Sequence, residues 1–276
     1  MRKNPVLENE MKRYTRNMKC AWIILGVNLV LALFALIAQM GLSGRENYMT
    51  ILQYRFPIQC YVLMGYGLFL AICILIPGLA GGAIAGERER KTLDLLLTTH
   101  LSPWKIILGK LESSLCLIFL ISFSTLPLFQ LILNLVITGI FIGSIAIFYS
   151  AIIRKTTVAV ILSYVTVVLL VFGTMGILFG TGYIQQMRGM YQEGFTGIRL
   201  GGLVYLLYFN PAVTLYGLIG QQTTNAYGLV RLCDYFGDYS HSFGVEHMVE
   251  LSILVQLGCS ALLLIAAGRH INPMRK

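Results

Sequence analysis

Continuous apolar runs of about twenty residues recur along this chain, and they restrict its fold more than any other feature. Only helices and closed barrels satisfy their own peptide groups in hydrocarbon. A barrel is written in segments of about ten residues with alternating polarity. These runs are unbroken and do not alternate, so the spans are helices. Charged residues make up 12% of the 276, against roughly 25% of a soluble chain. The sequence therefore predicts an all-α integral membrane protein, with 1–276 as a single transmembrane domain. Glycine is plentiful, at 28 residues, which suits helices packed backbone to backbone.

Six spans are expected, at 20–40, 59–85, 104–127, 131–153, 157–179 and 248–268. The first run is too long for the apolar part of a signal peptide and has no small-residue cleavage site after it, so it reads as a retained span. Pro127 and Asn134 bracket a tight turn, making spans three and four a hairpin. A polar loop ending at Pro57 precedes span two. The stretch 78–86 in span two is rich in small residues and suits tight packing or a flexible joint. The longest connection, 180–247, carries a second apolar piece at 203–220, interrupted by Asn210-Pro211. This piece is either a seventh span or a re-entrant or interfacial helical pair, and the pair is preferred because protein-covered irregular backbone is tolerated at membrane depth.

Charge sets the orientation. The net charge is +9. With six spans and both termini in the cytoplasm, every lysine faces inward, and 180–247 becomes an extracytoplasmic connection, in keeping with the positive-inside rule. A seventh span would carry the basic C-terminal tail outside. The expected location is the plasma membrane, as a multi-pass protein. No aromatic-interleaved basic patch is present, so nucleic acid is rejected as a partner. Residues 1–19 place Leu7, Met11, Tyr14 and Met18 on one helical face among six basic side chains. They predict an amphipathic helix lying on the inner leaflet.

The most informative polar stretch is 86–110, GERERKTLDLLLTTHLSPWKIILGK. It is too charged for a bilayer and too well patterned for a slack loop. Residues 87–99 read as a helix joining the inner ends of spans two and three. Glu87 and Lys91 stand in the favourable i,i+4 order. Leu93, Leu96 and Leu97 share a face, and Ser102-Pro103 opens the next helix. An exposed leucine face flanked by charge suits a groove on a partner.

Glu87, Arg88, Glu89, Thr92, Leu93, Leu95, Leu96, Leu101, Ser102, Gly109 and Lys110 also carry a resemblance. The stretch is similar to the cytosolic loop of ABC-2 type transporter permeases, with the pattern E-R-E-x-G-T-L-E-x-L-L-x-T-P-L-S followed by G-K. Asp94 replaces the usual Glu, Lys91 stands where Gly is usual and His100 where Pro is usual. The opening residues NPVLENEMKR resemble a subgroup of these permeases too. The resemblance implies a coupling helix docked in a groove of a separate ABC ATPase subunit, with Glu87, Arg88, Glu89, Leu93, Asp94, Leu96 and Leu97 making the contact. It implies a second permease chain, identical or not, and export of an amphipathic or lipid-linked substrate through the dimer. The chain itself is not expected to be an enzyme or to hold a cofactor. It lacks G-x-x-x-x-G-K-[ST], since Leu111 follows Gly109-Lys110, so ATP and Mg belong to the partner.

Other residues weigh less. Glu112 and Glu250 lie near span ends, where a carboxylate is readily solvated. Asn28, Gln130, Asn134 and Gln256 are expected to join helices by hydrogen bonds, each contributing about 0.6 kcal/mol. His241, Glu246 and His247 lack zinc-protease spacing. The six cysteines form no C-x-x-C pair, and Cys233 reads as sitting in a polar loop. A membrane-embedded enzyme needs His, paired acids or a positioned Ser within a span, and no span holds a His. A non-transporting anchor or sensor subunit is the remaining alternative.

Overall fold

A peptide group in hydrocarbon has no water to bond, so an apolar run closes its hydrogen bonds locally. Every regular element among the described residues is accordingly a helix. The computed structural model describes residues 18–43, 49–93, 102–124, 129–189, 201–223, 228–234 and 242–271, together with Leu7, Glu10 and Lys12. The helices are α1 (Lys19–Ser43), α2 (Met49–Gly81), α3 (Ala85–Glu89), α4 (Pro103–Ser124), α5 (Phe129–Ile152), α6 (Thr156–Val168), α7 (Thr174–Gly189), α8 (Pro211–Gln222), α9 (Gly228–Asp234), α10 (Phe243–Glu246) and α11 (Met248–Ile271). A π-helical turn, Leu169–Gly173, joins α6 to α7, and a 3-10 helix, Gly201–Phe209, precedes α8.

Five stretches are long and apolar enough to cross a membrane: Ile58–Glu89, Pro103–Phe123, Gln130–Ile152, Thr156–Met187 and Met248–Ile271. They correspond to the expected spans two to six. Expected span one falls on α1, whose shorter apolar stretch is Ala21–Ile37. Two expectations are corrected. The segment ending at Pro57 is not a loop throughout, because α2 already starts at Met49. Span five does not stop at 179 but continues through Thr181, whose hydroxyl donates to the Ile177 carbonyl at 2.7 Å, as far as Gly189. Most of 1–19 lies outside the described residues; Leu7, Glu10 and Lys12 are described there and are helical.

The chain packs as two compact units, Met1–Tyr164 with Cys259–Lys276, and Val165–Gly258. In the first, α5 is the central helix and lies along both α2 and α4. Leu68 and Ile76 of α2, Ile106, Ile107 and Ile118 of α4, and Ile142 and Ile147 of α5 are wholly buried there. Gly143 permits the α4–α5 approach, since a Cβ would meet the Leu111 Cδ1 at 2.7 Å. By contrast α1 leaves Trp22, Leu25, Leu29, Leu33 and Leu36 exposed, as a helix facing lipid does.

The small-residue stretch of α2 serves tight packing. A Cβ on Gly81 would stand 3.2 Å from the Val160 Cα on α6, and the Tyr164 hydroxyl donates to the Ile74 carbonyl at 2.6 Å. Two backbones this close gain dispersion contact that a branched side chain would prevent.

The second unit has its own core, formed by Leu178, Val204, Leu207, Val213, Leu229, Cys233, Val245 and Met248. Cys233 is therefore no loop residue: it is buried in α9 with its Sγ 3.9 Å from the Met248 Sδ. The 3-10 helix and α8 meet at 89°. Asn210 makes that corner: its Oδ1 accepts from the Ala212 N–H at 2.9 Å, and Pro211 takes the first helical position. Nine residues of 3-10 helix and twelve of α-helix are each about 18 Å long. At a right angle they reach about 25 Å, short of a hydrocarbon core of about 30 Å. A pair bent in this way is either one broken span or a re-entrant pair.

Candidate functional site

The charged stretch after α2 follows a three-residue break in the helix. α2 ends at Gly81, the chain turns through Gly82–Ile84, and α3 begins at Ala85. A helix start leaves N–H groups without partners. Here a neighbouring helix supplies the acceptor: the Ser150 Oγ, wholly buried on α5, accepts from both the Ile84 and Ala85 N–H groups at 2.9 Å.

The next three side chains fasten α3 to three different places. The Arg88 guanidinium donates to the Ala151 carbonyl at 2.9 Å and more weakly to Ile152 at 3.5 Å. These are the last carbonyls of α5, where the helix dipole favours a cation. A Glu89 carboxylate oxygen accepts from the Thr156 hydroxyl at 2.5 Å and from its N–H at 3.4 Å. Thr156 opens α6, where the dipole favours an anion. Glu87 pairs with the Lys110 ammonium of α4 at 2.7 Å. Lys110 also bonds the Glu10 carboxylate.

α3 is short because it is capped at once. The Thr92 N–H reaches the Glu87 carbonyl at 2.9 Å and the Lys91 N–H reaches Arg88 at 3.0 Å, with Lys91 itself at φ +57. These two bonds form a Schellman cap. The expected uninterrupted helix over 87–99 is thus corrected: it breaks at 90–92. The expected Glu87–Lys91 pair yields to Glu87–Lys110. The break also explains the glycine of the loop pattern, since its position falls on the residue that must be left-handed.

Of the expected contact residues, Glu87 and Arg88 are half-buried and engaged with the bundle, and Leu93 is buried at 5% exposure. Glu89 is exposed, followed by exposed Arg90, Lys91 and Thr92. Asp94, Leu96 and Leu97 lie outside the described residues. Glu10, Ser150 and Thr156 had no signal in local pattern, although Thr156 follows a helix-ending Arg154-Lys155 pair and is a good capping type.

A cleft of about 930 Å³ opens beside α3. Gly78 and Gly82 line one side, Lys110, Ser113 and Ser114 another, and Thr156 a third. Ser113 and Ser114 both donate to the Lys110 carbonyl, at 2.9 and 3.1 Å. The Glu87 Oε2 is buried and has no hydrogen bond among the described residues.

The remaining candidates are dispersed. Glu112, Glu246, Glu250 and Gln130 are exposed. Gln256 does join helices, donating to the Thr214 hydroxyl at 2.8 Å. Asn28 donates to the Ile24 carbonyl of its own helix, and the buried Asn134 amide has no hydrogen bond among the described residues. His247 stacks on the Phe243 ring at 4.4 Å, and His241 is outside the described residues. The built site is therefore the α3 segment. Its side chains tie one short helix to α4, α5 and α6.

Residues 46–268 match the family described as ABC-2 family transporter protein. No curated relative matches the chain.

Proposed function

Because this chain belongs to the ABC-2 family of transporter proteins, a family of multi-pass membrane subunits, we propose that it is the permease of an ATP-driven exporter whose 87–99 segment receives force from a separate ABC ATPase. ATP and Mg are bound by that partner. Two permease chains, identical or paired with a sister subunit, enclose the pathway in the plasma membrane, with both termini in the cytoplasm. The cargo is amphipathic or lipid-linked.

The observation that carries this reading is the fastening of α3. A slack loop absorbs a push, whereas this segment is pinned by Ser150, Arg88, Glu89 and Glu87 to the ends of three helices. The pinning divides the work. Glu87, Arg88 and Leu93 hold the segment to the bundle. Glu89, exposed and bonded to Thr156, does both, pinning the segment and meeting the ATPase groove together with Asp94, Leu96 and Leu97.

Co-purification tests it. The full chain, expressed with an ABC-class P-loop ATPase subunit from the same organism, is expected to bring that subunit down from mild detergent. Double charge reversal, Glu89→Lys with Asp94→Lys, is expected to lower recovery at least tenfold. Undiminished recovery overturns the assignment of the contact.

A further inference from the structure

Lys110 is the anomaly of the inner bundle. It is 6% exposed, and an ammonium so placed requires full compensation. It receives more than that. One ammonium faces two carboxylates, Glu10 and Glu87, which come from separate parts of the chain, and the three groups sum to one negative charge. The Glu87 Oε2 is left buried without a hydrogen bond. Nothing in the cap or anchors of α3 uses Glu10.

The electrostatics give this arrangement a sign. With Lys110 charged, the N-terminal segment and α3 are both drawn to one point on α4. Without it, two like charges face each other and push the segments apart. A buried ion pair contributes little to stability in itself, and replacing all of its members by neutral groups of similar volume is often neutral. A positioning role therefore separates cleanly from a folding role.

We propose that Lys110 is a positioning residue of the coupling apparatus, clasping Glu10 and Glu87 so that the N-terminal segment moves with α3. The proposal rests on the coupling reading above and adds a second moving part to it. A push on α3 reaches the membrane surface through Glu10 as well as the spans through Arg88 and Glu89.

Lys12 and Arg90 are both exposed and serve as label sites. Spin labels at Lys12→Cys and Arg90→Cys, in a chain with its native cysteines replaced, report the distance between the two segments. It is read in nanodiscs for the permease alone, for its complex with the ATPase subunit, and for that complex trapped with ATP and vanadate. A single narrow distance is expected in all three states for the otherwise native chain and for Lys110→Arg. The triple variant Glu10→Gln, Glu87→Gln, Lys110→Met is expected to widen the distribution at least twofold. It is also expected to lower permease-stimulated ATP hydrolysis about fivefold while still binding the ATPase. A narrow distribution in the triple variant, or a wide one in the native chain, overturns the clasp. Failure of the native chain to bind any ATPase overturns the coupling reading instead, and the distances in the permease alone still decide the clasp.

Discussion

The Asn210 side-chain amide donates to the Val171 carbonyl at 2.9 Å, the backbone of a π-helical turn held by the corner of a different helix pair. A π turn takes carbonyls out of the i+4 ladder. Asn210 supplies a donor to one of them, and its second bond, 2.8 Å to the Thr174 hydroxyl, fixes the end of the turn. The same side chain caps α8 through Ala212. Asn210→Ala removes all three interactions at a wholly buried site. Such losses lower stability by about 2–4 kcal/mol together. Asn210→Asp keeps the cap but cannot donate, and is expected to be at least as damaging. Unfolding by sodium dodecyl sulfate, followed by circular dichroism in mild detergent, measures both. An Asp variant as stable as the native chain contradicts the donor role.

Two glycines are expected to respond with opposite signs. A Cβ on Gly81 would lie 3.2 Å from the Val160 Cα, which is backbone and cannot swing aside. Gly81→Ala is therefore expected to cost about 1–3 kcal/mol, the usual range for overpacking. A Cβ on Gly26, within α1, would meet nothing within 4 Å. Gly26→Ala is expected to stabilise by about 0.5–1 kcal/mol through helix propensity alone. The same detergent titration compares the pair, and a shared sign would show that neither contact geometry nor propensity governs these helices.

Much of the fold is legible in the chain because hydrophobic length is a local property. The runs that become α4, α5 and α11 are bounded within a few residues by Pro103, Pro127 and a polar flank. The ends of α2 and α7 were hidden because a membrane helix continues past the hydrocarbon, where polar residues are permitted. Thr181 shows how, its hydroxyl bonding the Ile177 carbonyl inside the helix. The site was legible only in part. Glu87, Arg88 and Glu89 stand out as charge, but their partners are distant: Ser150 lies 66 residues from Ile84, and Glu10 lies 100 from Lys110. No periodicity within a segment reports such pairs.

Lys91 offers a direct test of the cap. It is the single non-glycine among the described residues with positive φ, at +57. A left-handed conformation costs an L-residue roughly 1–2 kcal/mol. Lys91→Gly removes that strain but adds freedom to the unfolded chain, for a net gain of about 0.5–1 kcal/mol. Lys91→Val, branched at Cβ, is expected to lose about 1 kcal/mol or more at the same position. A stabilising Val would mean that the chain at 90–92 is not turned as the Thr92–Glu87 bond requires.

The final prediction concerns the direction in which α3 is aimed. Ser150 sits on α5 and accepts two N–H groups of another element, Ile84 and Ala85, both wholly buried. Neither amide has water within reach, so each becomes an unsatisfied donor when the hydroxyl is lost, at about 1–3 kcal/mol apiece. The helix start has no side-chain cap of its own to replace it. Ser150→Ala is thus expected to cost about 2–6 kcal/mol in local stability and to free the turn at Gly82–Ile84. Hydrogen exchange read by mass spectrometry should show faster exchange in the peptide covering 82–90, by tenfold or more, with α4 unchanged. On the coupling reading, ATPase recovery should fall with it, because the exposed Glu89 is then no longer presented at a fixed angle. Faster exchange with undiminished recovery would mean that the partner, rather than Ser150, orients the segment.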